Sequence, residues 1–294
     1  ELAERANAEI LSLDSMLVYR GLDVGTAKPG AAERARVPHH LIDIAAPDEQ
    51  YNAGRFAEDS RAAAARIRAR GKRVFLVGGT GLYVRAFLEG FSTRVAANPE
   101  RRVELEAEAD RRAAEGQPGW LHERLAALDP ASAERLHPND RVRLIRAIEV
   151  AESTGRPASE QRQRPAPTER VLHLVLDPGR DELAERIDRR CELMVESGLL
   201  QEVRDLREAG YGPELPSMRA LGYRHMEPVI QGREILQNVL AEMKRDTRQF
   251  ARRQRTWLRR VEGAEWFHPD ERERIMARVE AFWSAAGPER QATA

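Results

Sequence analysis

Cysteine, lysine and long apolar runs are scarce or absent in this chain of 294 residues. The single cysteine, Cys191, excludes an intrachain disulfide framework and a zinc finger. Lysine occurs only at Lys28, Lys72 and Lys244, so arginine supplies nearly all of the positive charge, which is typical of a GC-rich genome. No apolar run approaches the length of a membrane span, and no signal peptide is visible. We therefore expect a cytoplasmic protein with no membrane partner.

Net charge is also lacking, because 48 basic residues balance 48 acidic ones. No overall field draws this chain to nucleic acid, so any such affinity must come from a local patch. Hydrophobic residues make up 41% of the chain, enough for one large domain or for a domain with a sizeable insertion.

Short apolar runs that end in polar or small residues alternate with helical segments. "AEILSLD" ends at Asp14, the Ala-rich helix Arg55–Gly71 follows, and "RVFLVGGTGLY" then leads into a second helix at Leu82–Leu88. We predict an α/β fold with a parallel sheet, whose ligands bind at the carboxyl ends of the strands. "RVLHLVLDP" (Arg170–Pro178) is predicted to be another buried strand of that sheet.

The region from Thr93 to about Pro167 contains charged helices and a Pro-rich linker without a strand signal. We predict an all-helical insertion at 93–167, between a first core part at 1–92 and a second at 168–294. The second part is helical again, with one long amphipathic helix over roughly Arg233–Arg260.

Two features at the predicted strand ends each allow two interpretations. Asp14 is either a turn or N-cap aspartate, or a general base in the cleft of the sheet. The turn in "VGGTGLY" (Val77–Tyr83) either presents backbone N–H groups to a phosphate or is simply a tight turn. No G-x-x-x-x-G-K-[ST] phosphate loop occurs anywhere in the chain.

Arginines suggest where phosphate groups bind. Arg190 lies beside the apolar stripe of Ile187, Cys191 and Met194, where an arginine is either a solvated side chain or a bidentate phosphate ligand. Eight basic residues accompany one acid, Asp246, in the segment from 244 to 260: Lys244, Arg245, Arg248, Arg252, Arg253, Arg255, Arg259 and Arg260. Such a segment is either a solvated face or a footprint for a phosphate backbone.

Two further segments have a composition suited to RNA. "MRALGYRHM" (Met218–Met226) combines arginines with Tyr223, which suits base stacking with phosphate contact, and "NDRVRLIR" adds Arg141, Arg143 and Arg146. His39 and His40 have no ligand partner at metal-binding spacing, so we interpret them as structural and predict no protein-borne metal site.

Six blocks together resemble one family, the bacterial tRNA dimethylallyltransferases, also called isopentenyl-diphosphate:tRNA or IPP transferases. The blocks occur in the family's order, between about residues 4 and 268: "LDSMLVYRGLDVGTAKP", "PHHLIDI", "FLVGGTGLYVRAFLEG", "RLHPNDRVRLIRAIEV", "SMRALGYRHM" and "TRQFARRQRTWLRR". Several ordered blocks are far more specific than any single one.

The resemblance implies a P-loop-kinase-like α/β core with a helical insertion, and transfer of a dimethylallyl group from dimethylallyl diphosphate. The acceptor is the exocyclic 6-amino group of the adenosine just 3′ of the anticodon (position 37), in tRNAs that read codons beginning with U. Asp14 matches the family's general base, Thr80 the threonine that faces the reaction centre, and Arg190 the arginine that binds the diphosphate. Mg²⁺ is the implied cofactor, and we expect a monomer.

The family's tRNA contacts map onto positions in several separate segments of this chain. They are Asp14, Ser15, Met16, Leu17, Thr80, Arg102, Val142, Arg143, Leu144, Ile145, Arg146, Arg219, Ala220, Leu221, Gly222, Tyr223, Arg224, Arg252, Arg253, Gln254, Arg255, Thr256, Trp257, Leu258 and Arg259.

The family's first strand and its G-P-T-A-S-G-K-[ST] loop precede the helix in which this chain begins. We expect the natural reading frame to continue upstream into both. Alternatives to the tRNA enzyme are an adenylate isopentenyltransferase acting on a free nucleotide, a non-catalytic tRNA-binding relative and, with least support, a small-molecule kinase.

Overall fold

A computed structural model describes residues 1–90, 98–161 and 170–285. It is a mostly helical α/β fold with small parallel sheets. The chain divides into two compact units, one formed by Glu1–Leu88 with Glu169–Ala294 and the other by Glu89–Thr168.

The first unit begins with alternating helices and strands. Its elements are α1 (Leu2–Arg5), β1 (Ala8–Ser12), α2 (Ala31–Arg36), β2 (His39–His40), α3 (Ala53–Ala69), β3 (Arg73–Val77) and α4 (Gly81–Glu89). The three strands form a parallel sheet in the order β2-β1-β3, and Ser12 pairs with Val77 at the carboxyl end. The predicted strand before Asp14, the Ala-rich helix and the strand before the glycine-rich turn are therefore confirmed.

Helices dominate the rest of this unit. The elements are β4 (Leu174–Leu176), α9 (Arg180–Glu196), α10 (Leu199–Glu208), α11 (Tyr223–Ile230), α12 (Leu236–Leu258), β5 (Glu265–Phe267) and α13 (Arg272–Ser284). The predicted apolar stripe of α9 is confirmed, since Ile187, Cys191 and Met194 are buried in the main core. That core also contains Phe56 stacked on Tyr83, with ring centroids 4.0 Å apart.

The prediction that Arg170–Pro178 forms a strand of the main sheet is wrong about the sheet to which the strand belongs. "RVLHLVLDP" forms only the three-residue strand β4, and β4 pairs with β5 in a separate two-stranded parallel sheet. Only Val175 of β4 is buried, whereas Leu176 is exposed, so the apolar run does not reflect a strand covered on both faces.

The second unit contains only helices among its described residues: α5 (Pro99–Ala114), α6 (Trp120–Leu128), α7 (Pro130–Arg135) and α8 (Arg141–Thr154). Side chains of Asn98, Asp129 and Asp140 accept hydrogen bonds from N-terminal backbone groups of α5, α7 and α8. Gly155 ends α8 with a φ of +67°, a conformation that glycine adopts without strain. Leu105, Leu125, Leu144 and Ile148 are at the centre of this unit's own core.

The described residues include no helix that is both long and apolar enough to cross a membrane.

Candidate active site and nucleic-acid interface

The chain segments that follow β1 and β3 are joined by hydrogen bonds at the carboxyl edge of the sheet. The Leu13 N–H donates to the Val77 carbonyl at 2.8 Å, and the Thr80 N–H donates to the Leu13 carbonyl at 3.3 Å. The Ser15 N–H then donates to Thr80 Oγ1 at 3.3 Å. Parallel pairing of the two strands therefore brings Asp14 and Thr80 together, although they are 66 positions apart in the sequence.

One carboxylate oxygen of Asp14 is bound by backbone N–H groups of the turn that follows it, and the other oxygen is available to accept a hydrogen bond. Its Oδ1 accepts hydrogen bonds from the N–H groups of Met16 at 2.7 Å and Leu17 at 3.4 Å. Its Oδ2 accepts none from the residues that the structure describes, and the side chain is only half-buried. The turn interpretation and the general-base interpretation are thus compatible, because one oxygen serves the turn and the other can accept a proton.

The glycine-rich turn between β3 and α4 packs directly against α12. Gln254 Nε2 donates to the Gly79 carbonyl at 3.2 Å. A Cβ on Gly81 would lie 2.5 Å from the Trp257 ring, and one on Gly78 would lie 2.7 Å from the Leu13 carbonyl carbon. Glycine is therefore required here by close packing, and Gln254 and Trp257 help to fix the turn that carries Thr80.

We expect Gly81→Ala to destabilise the protein by about 1–3 kcal/mol, the usual cost of overpacking, and to lower activity by moving the turn. Gly30→Ala is the matched control, because a Cβ there meets nothing closer than 3.9 Å and the backbone φ is −71°. Denaturant unfolding of both variants measures the difference. Equal stability of the two variants would contradict the proposed packing of Gly81 against Trp257.

The basic segment contains both paired and unpaired cations. Four of its members form ion pairs, with Arg255 bound to Asp177 at 2.8 Å and Lys244 to Glu192 at 2.7 Å, while Arg248 pairs with Asp188 and Arg245 with Asp246. Within the described part of the chain, the other four have no ion-pair partner and are exposed: Arg252, Arg253, Arg259 and Arg260.

A surface cavity of about 300 Å³ lies along the C-terminal part of α12. It is lined by Arg252, Arg253, Thr256, Trp257 and Arg260. Three unpaired guanidinium groups beside an aromatic ring suit an anion or a phosphate backbone.

Arg190 is exposed, and its Nη2 donates to the Thr26 carbonyl at 3.3 Å. Among the described contacts, none joins Arg190 to Asp14 or Thr80. The structure thus brings two of the three predicted catalytic residues together and leaves the third on α9.

The segment Arg219–Arg224 differs from its predicted use in one respect. Tyr223 is only 1% exposed, and its hydroxyl donates to Glu202 Oε1 at 2.5 Å, so its ring is not available to stack on a base. Burial and the charge of Glu202 raise the pKa of Tyr223. Arg219 and Arg224 are exposed, and Arg224 pairs with Asp246 at 2.7 Å.

The remaining predicted tRNA contacts lie in the helical unit. Val142 is 78% exposed and Arg143 is exposed, but Leu144 and Ile145 are buried in the core of that unit, so their side chains cannot contact RNA directly. Arg102 and Arg146 both donate to Glu149 Oε2, at 2.9 and 2.7 Å.

Glu149 was missed by the sequence analysis because it resembles any other acid on a charged helix. It is 2% exposed and also accepts a hydrogen bond from the Asn98 N–H. Burial alone would raise its pKa, but the hydrogen bonds from Arg146, Asn98 and Arg102 outweigh burial and lower the pKa below its usual range. Glu149 thereby holds two predicted tRNA-contacting arginines on α5 and α8.

We expect Glu149→Gln to destabilise the helical unit by about 1–3 kcal/mol at neutral pH, since it leaves buried hydrogen-bonding groups imperfectly satisfied. The pKa of Glu149 is lower in the folded state than its ordinary value of 4.5. Its charge therefore contributes stability above pH 4.5, and this contribution is lost as the pH falls through the folded-state pKa.

Amide exchange of α8 in the whole protein, corrected for the intrinsic pH dependence, measures this effect. Glu106→Gln on the exposed face of α5 is the control. If α8 exchanges faster in Glu149→Gln than in Glu106→Gln by the same factor in strong acid as at neutral pH, the role given to the Glu149 charge is refuted.

Among the described residues there is no group of three or more His, Cys, Asp or Glu side chains that could hold a metal ion. His40 Nε2 contacts Glu9 Oε2 at 2.6 Å, and His39 Nδ1 contacts the Val37 carbonyl at 2.7 Å, which fits their structural interpretation.

Comparison with known proteins gives one consistent result. The model of a family described as IPP transferase matches residues 17–261. A tRNA dimethylallyltransferase of Roseiflexus sp. (strain RS-1) is 49% identical over 261 residues, which cover 88% of this chain and 84% of the relative.

Two solved structures are also similar. The tRNA isopentenylpyrophosphate transferase from Bacillus halodurans has a TM-score of 0.70 at 36% identity, covering 97% of this chain and 91% of the other. A eukaryotic dimethylallyltransferase acting on tRNA has a TM-score of 0.82 at 26% identity, covering 99% of this chain and 76% of the other.

Proposed function

Because this chain belongs to the IPP transferase family, we propose that it is a tRNA dimethylallyltransferase. It transfers the dimethylallyl group of dimethylallyl diphosphate to the exocyclic 6-amino group of the adenosine just 3′ of the anticodon. The observation that carries this proposal is the joined strand ends, where Asp14 Oδ2 is available beside Thr80.

The reaction forms one bond and breaks another. The adenine N6 forms a bond to C1 of the dimethylallyl group, and the bond from C1 to the diphosphate oxygen breaks with its electron pair leaving on the diphosphate. The proton released from N6 passes to Asp14. An aromatic amine is a weak nucleophile, so a carboxylate that accepts its N–H as the new bond forms lowers the barrier.

We assign Thr80 the role of orienting the acceptor amine. The hydrogen bond from the Ser15 N–H to the Thr80 hydroxyl supports this role, because it ties Thr80 to the turn that carries Asp14. Arg190 carries a positive charge for the departing diphosphate, whose negative charge grows as it leaves. The reacting base must be extruded from the anticodon loop, which costs a few kcal/mol in enzymes that act on bases.

Mg²⁺ belongs to this proposal as the counterion of the diphosphate. Magnesium sites of this kind take one or two carboxylates together with substrate phosphate oxygens and water. Among the described residues, no group of three or more His, Cys, Asp or Glu side chains could hold the ion by itself.

The unpaired arginines in the C-terminal part of α12 and immediately after it support RNA as the acceptor, rather than the free nucleotide used by an adenylate isopentenyltransferase. A free nucleotide offers at most a few phosphates, whereas a polynucleotide backbone can occupy several exposed guanidinium groups at once. We further propose that the enzyme acts in the cytoplasm as a monomer.

A substrate comparison tests this proposal. The full-length protein is given labelled dimethylallyl diphosphate with either tRNA or free adenine nucleotides. We expect label in tRNA alone. Label in the free nucleotide would favour the nucleotide enzyme, and label in neither, with tRNA still bound, would favour a non-catalytic binding protein.

A further inference from the structure

One carboxylate holds a whole loop of the first unit. Glu202, in the first turn of α10, accepts hydrogen bonds from three consecutive backbone N–H groups between β1 and α2. Asp23 and Val24 donate to its Oε2 at 3.1 and 2.7 Å, and Gly25 donates to its Oε1 at 3.1 Å. Glu202 forms no ion pair with the described residues. Its carboxylate instead accepts hydrogen bonds from this loop and from one hydroxyl.

That hydroxyl belongs to Tyr223, which donates to Glu202 Oε1 at 2.5 Å. The buried ring also packs directly against the loop, because a Cβ on Gly25 would be 2.5 Å from Tyr223 Cε2 and 2.8 Å from a methyl of Leu199. The loop is thus fixed by a carboxylate on one element and by a ring on another.

The loop is also rigid within itself. Thr26 Oγ1 donates to the Leu22 carbonyl at 2.7 Å, and the Lys28 N–H donates to the Asp23 carbonyl at 3.0 Å. The Lys28 side chain is 3% exposed, and its ammonium pairs with Asp23 at 2.7 Å and Asp43 at 2.5 Å. These contacts tie the residues held by Glu202 to Thr26.

Thr26 is the residue whose carbonyl accepts from Arg190 Nη2 at 3.3 Å. An exposed arginine on a helix has many rotamers, and one fixed carbonyl acceptor selects among them. Glu202, the loop and Arg190 therefore form one connected series of hydrogen bonds.

We propose that Glu202, supported by Tyr223, is a positioning residue that orients Arg190 toward the leaving diphosphate through the 23–26 loop. This inference rests on the proposed function, because it gives Arg190 the diphosphate role. Glu202 itself touches no reacting atom.

Glu202→Gln tests the proposal, because an amide nitrogen would face N–H or O–H donors where a carboxylate oxygen now accepts. We expect kcat/KM for dimethylallyl diphosphate to fall about 10- to 100-fold, the scale of a small misplacement near a reacting group, with tRNA affinity unchanged. Glu208→Gln, at the exposed end of the same helix, is the matched control and should behave like wild type.

A double-variant cycle separates positioning from general stability. If Glu202 acts through Arg190, Glu202→Gln should cost nothing further in an Arg190→Ala background. An equal loss in both backgrounds would overturn the inference, and so would a Glu202→Gln variant indistinguishable from Glu208→Gln.

Tyr223→Phe keeps the ring on Gly25 and serves if Glu202→Gln does not fold. We expect Tyr223→Phe to lower kcat/KM for dimethylallyl diphosphate by less than Glu202→Gln does, and to lower it no further in the Arg190→Ala background. A loss from Tyr223→Phe that persists in the Arg190→Ala background would overturn the inference. If wild-type protein transfers no dimethylallyl group to tRNA, the proposed function fails. If wild type is active and Glu202→Gln matches its control, only the inference fails.

Discussion

Asp14→Asn should lower the turnover of the full-length enzyme by about 10²- to 10⁴-fold while leaving tRNA binding largely intact, because the loss is that of a general base. The asparagine Oδ1 can still accept from the Met16 and Leu17 N–H groups, so the turn is retained. What changes is the second position, where a nitrogen that donates replaces the oxygen that would accept the proton from the amine.

Single-turnover rates, with tRNA affinity measured in parallel, separate chemistry from binding. Asp48→Asn, an exposed aspartate outside the site, is the matched control and should react at the wild-type rate. A near-normal single-turnover rate for Asp14→Asn would show that another group accepts the proton, and Asp14 would then be only a turn residue.

Changing Arg252, Arg253 and Arg259 together to glutamate should abolish tRNA binding without unfolding the protein. All three side chains are exposed and lack ion-pair partners among the described residues, so their reversal breaks no internal salt bridge. Arg255 is left unchanged because it pairs with Asp177. Wild-type affinity should fall steeply with salt despite the zero net charge of the chain, since each phosphate contact releases counterions.

The control makes the same change in net charge elsewhere. Arg66, Arg180 and Arg204 are exposed arginines on three other helices, and their replacement by glutamate should reduce tRNA affinity far less. If both triple variants bind equally well, α12 is merely a solvated face. If both lose binding equally, the effect comes from net charge rather than from a footprint on α12.

The sequence predicted the strand ends well because the information there is local. Apolar runs that stop at Asp14 and Gly78 mark strand ends, and parallel pairing then requires the two following segments to be neighbours. The glycines of the turn are explained by contacts that no local pattern contains, since Gln254 and Trp257 approach from a helix far along the chain.

The predictions that the structure corrects, and the residues that the sequence did not single out, likewise depend on tertiary contacts. Tyr223 in a segment rich in arginine resembles a stacking residue, and only the tertiary structure shows that Glu202 and Gly25 enclose it. The strand β4 has an apolar sequence typical of the main sheet, but it pairs with β5, whose three residues are too short a run to predict a strand. Glu149 and Glu202 are similarly ordinary helix acids until their partners are known.

Nucleoside analysis of a tRNA that reads codons beginning with U, after incubation with dimethylallyl diphosphate and the full-length protein, tests the central claim most directly. With the wild-type protein, we predict N6-dimethylallyladenosine at the position just 3′ of the anticodon. With Asp14→Asn, we predict almost none of this nucleoside after the same incubation time. Unmodified adenosine with the wild type, or equal modification by both proteins, would contradict the account.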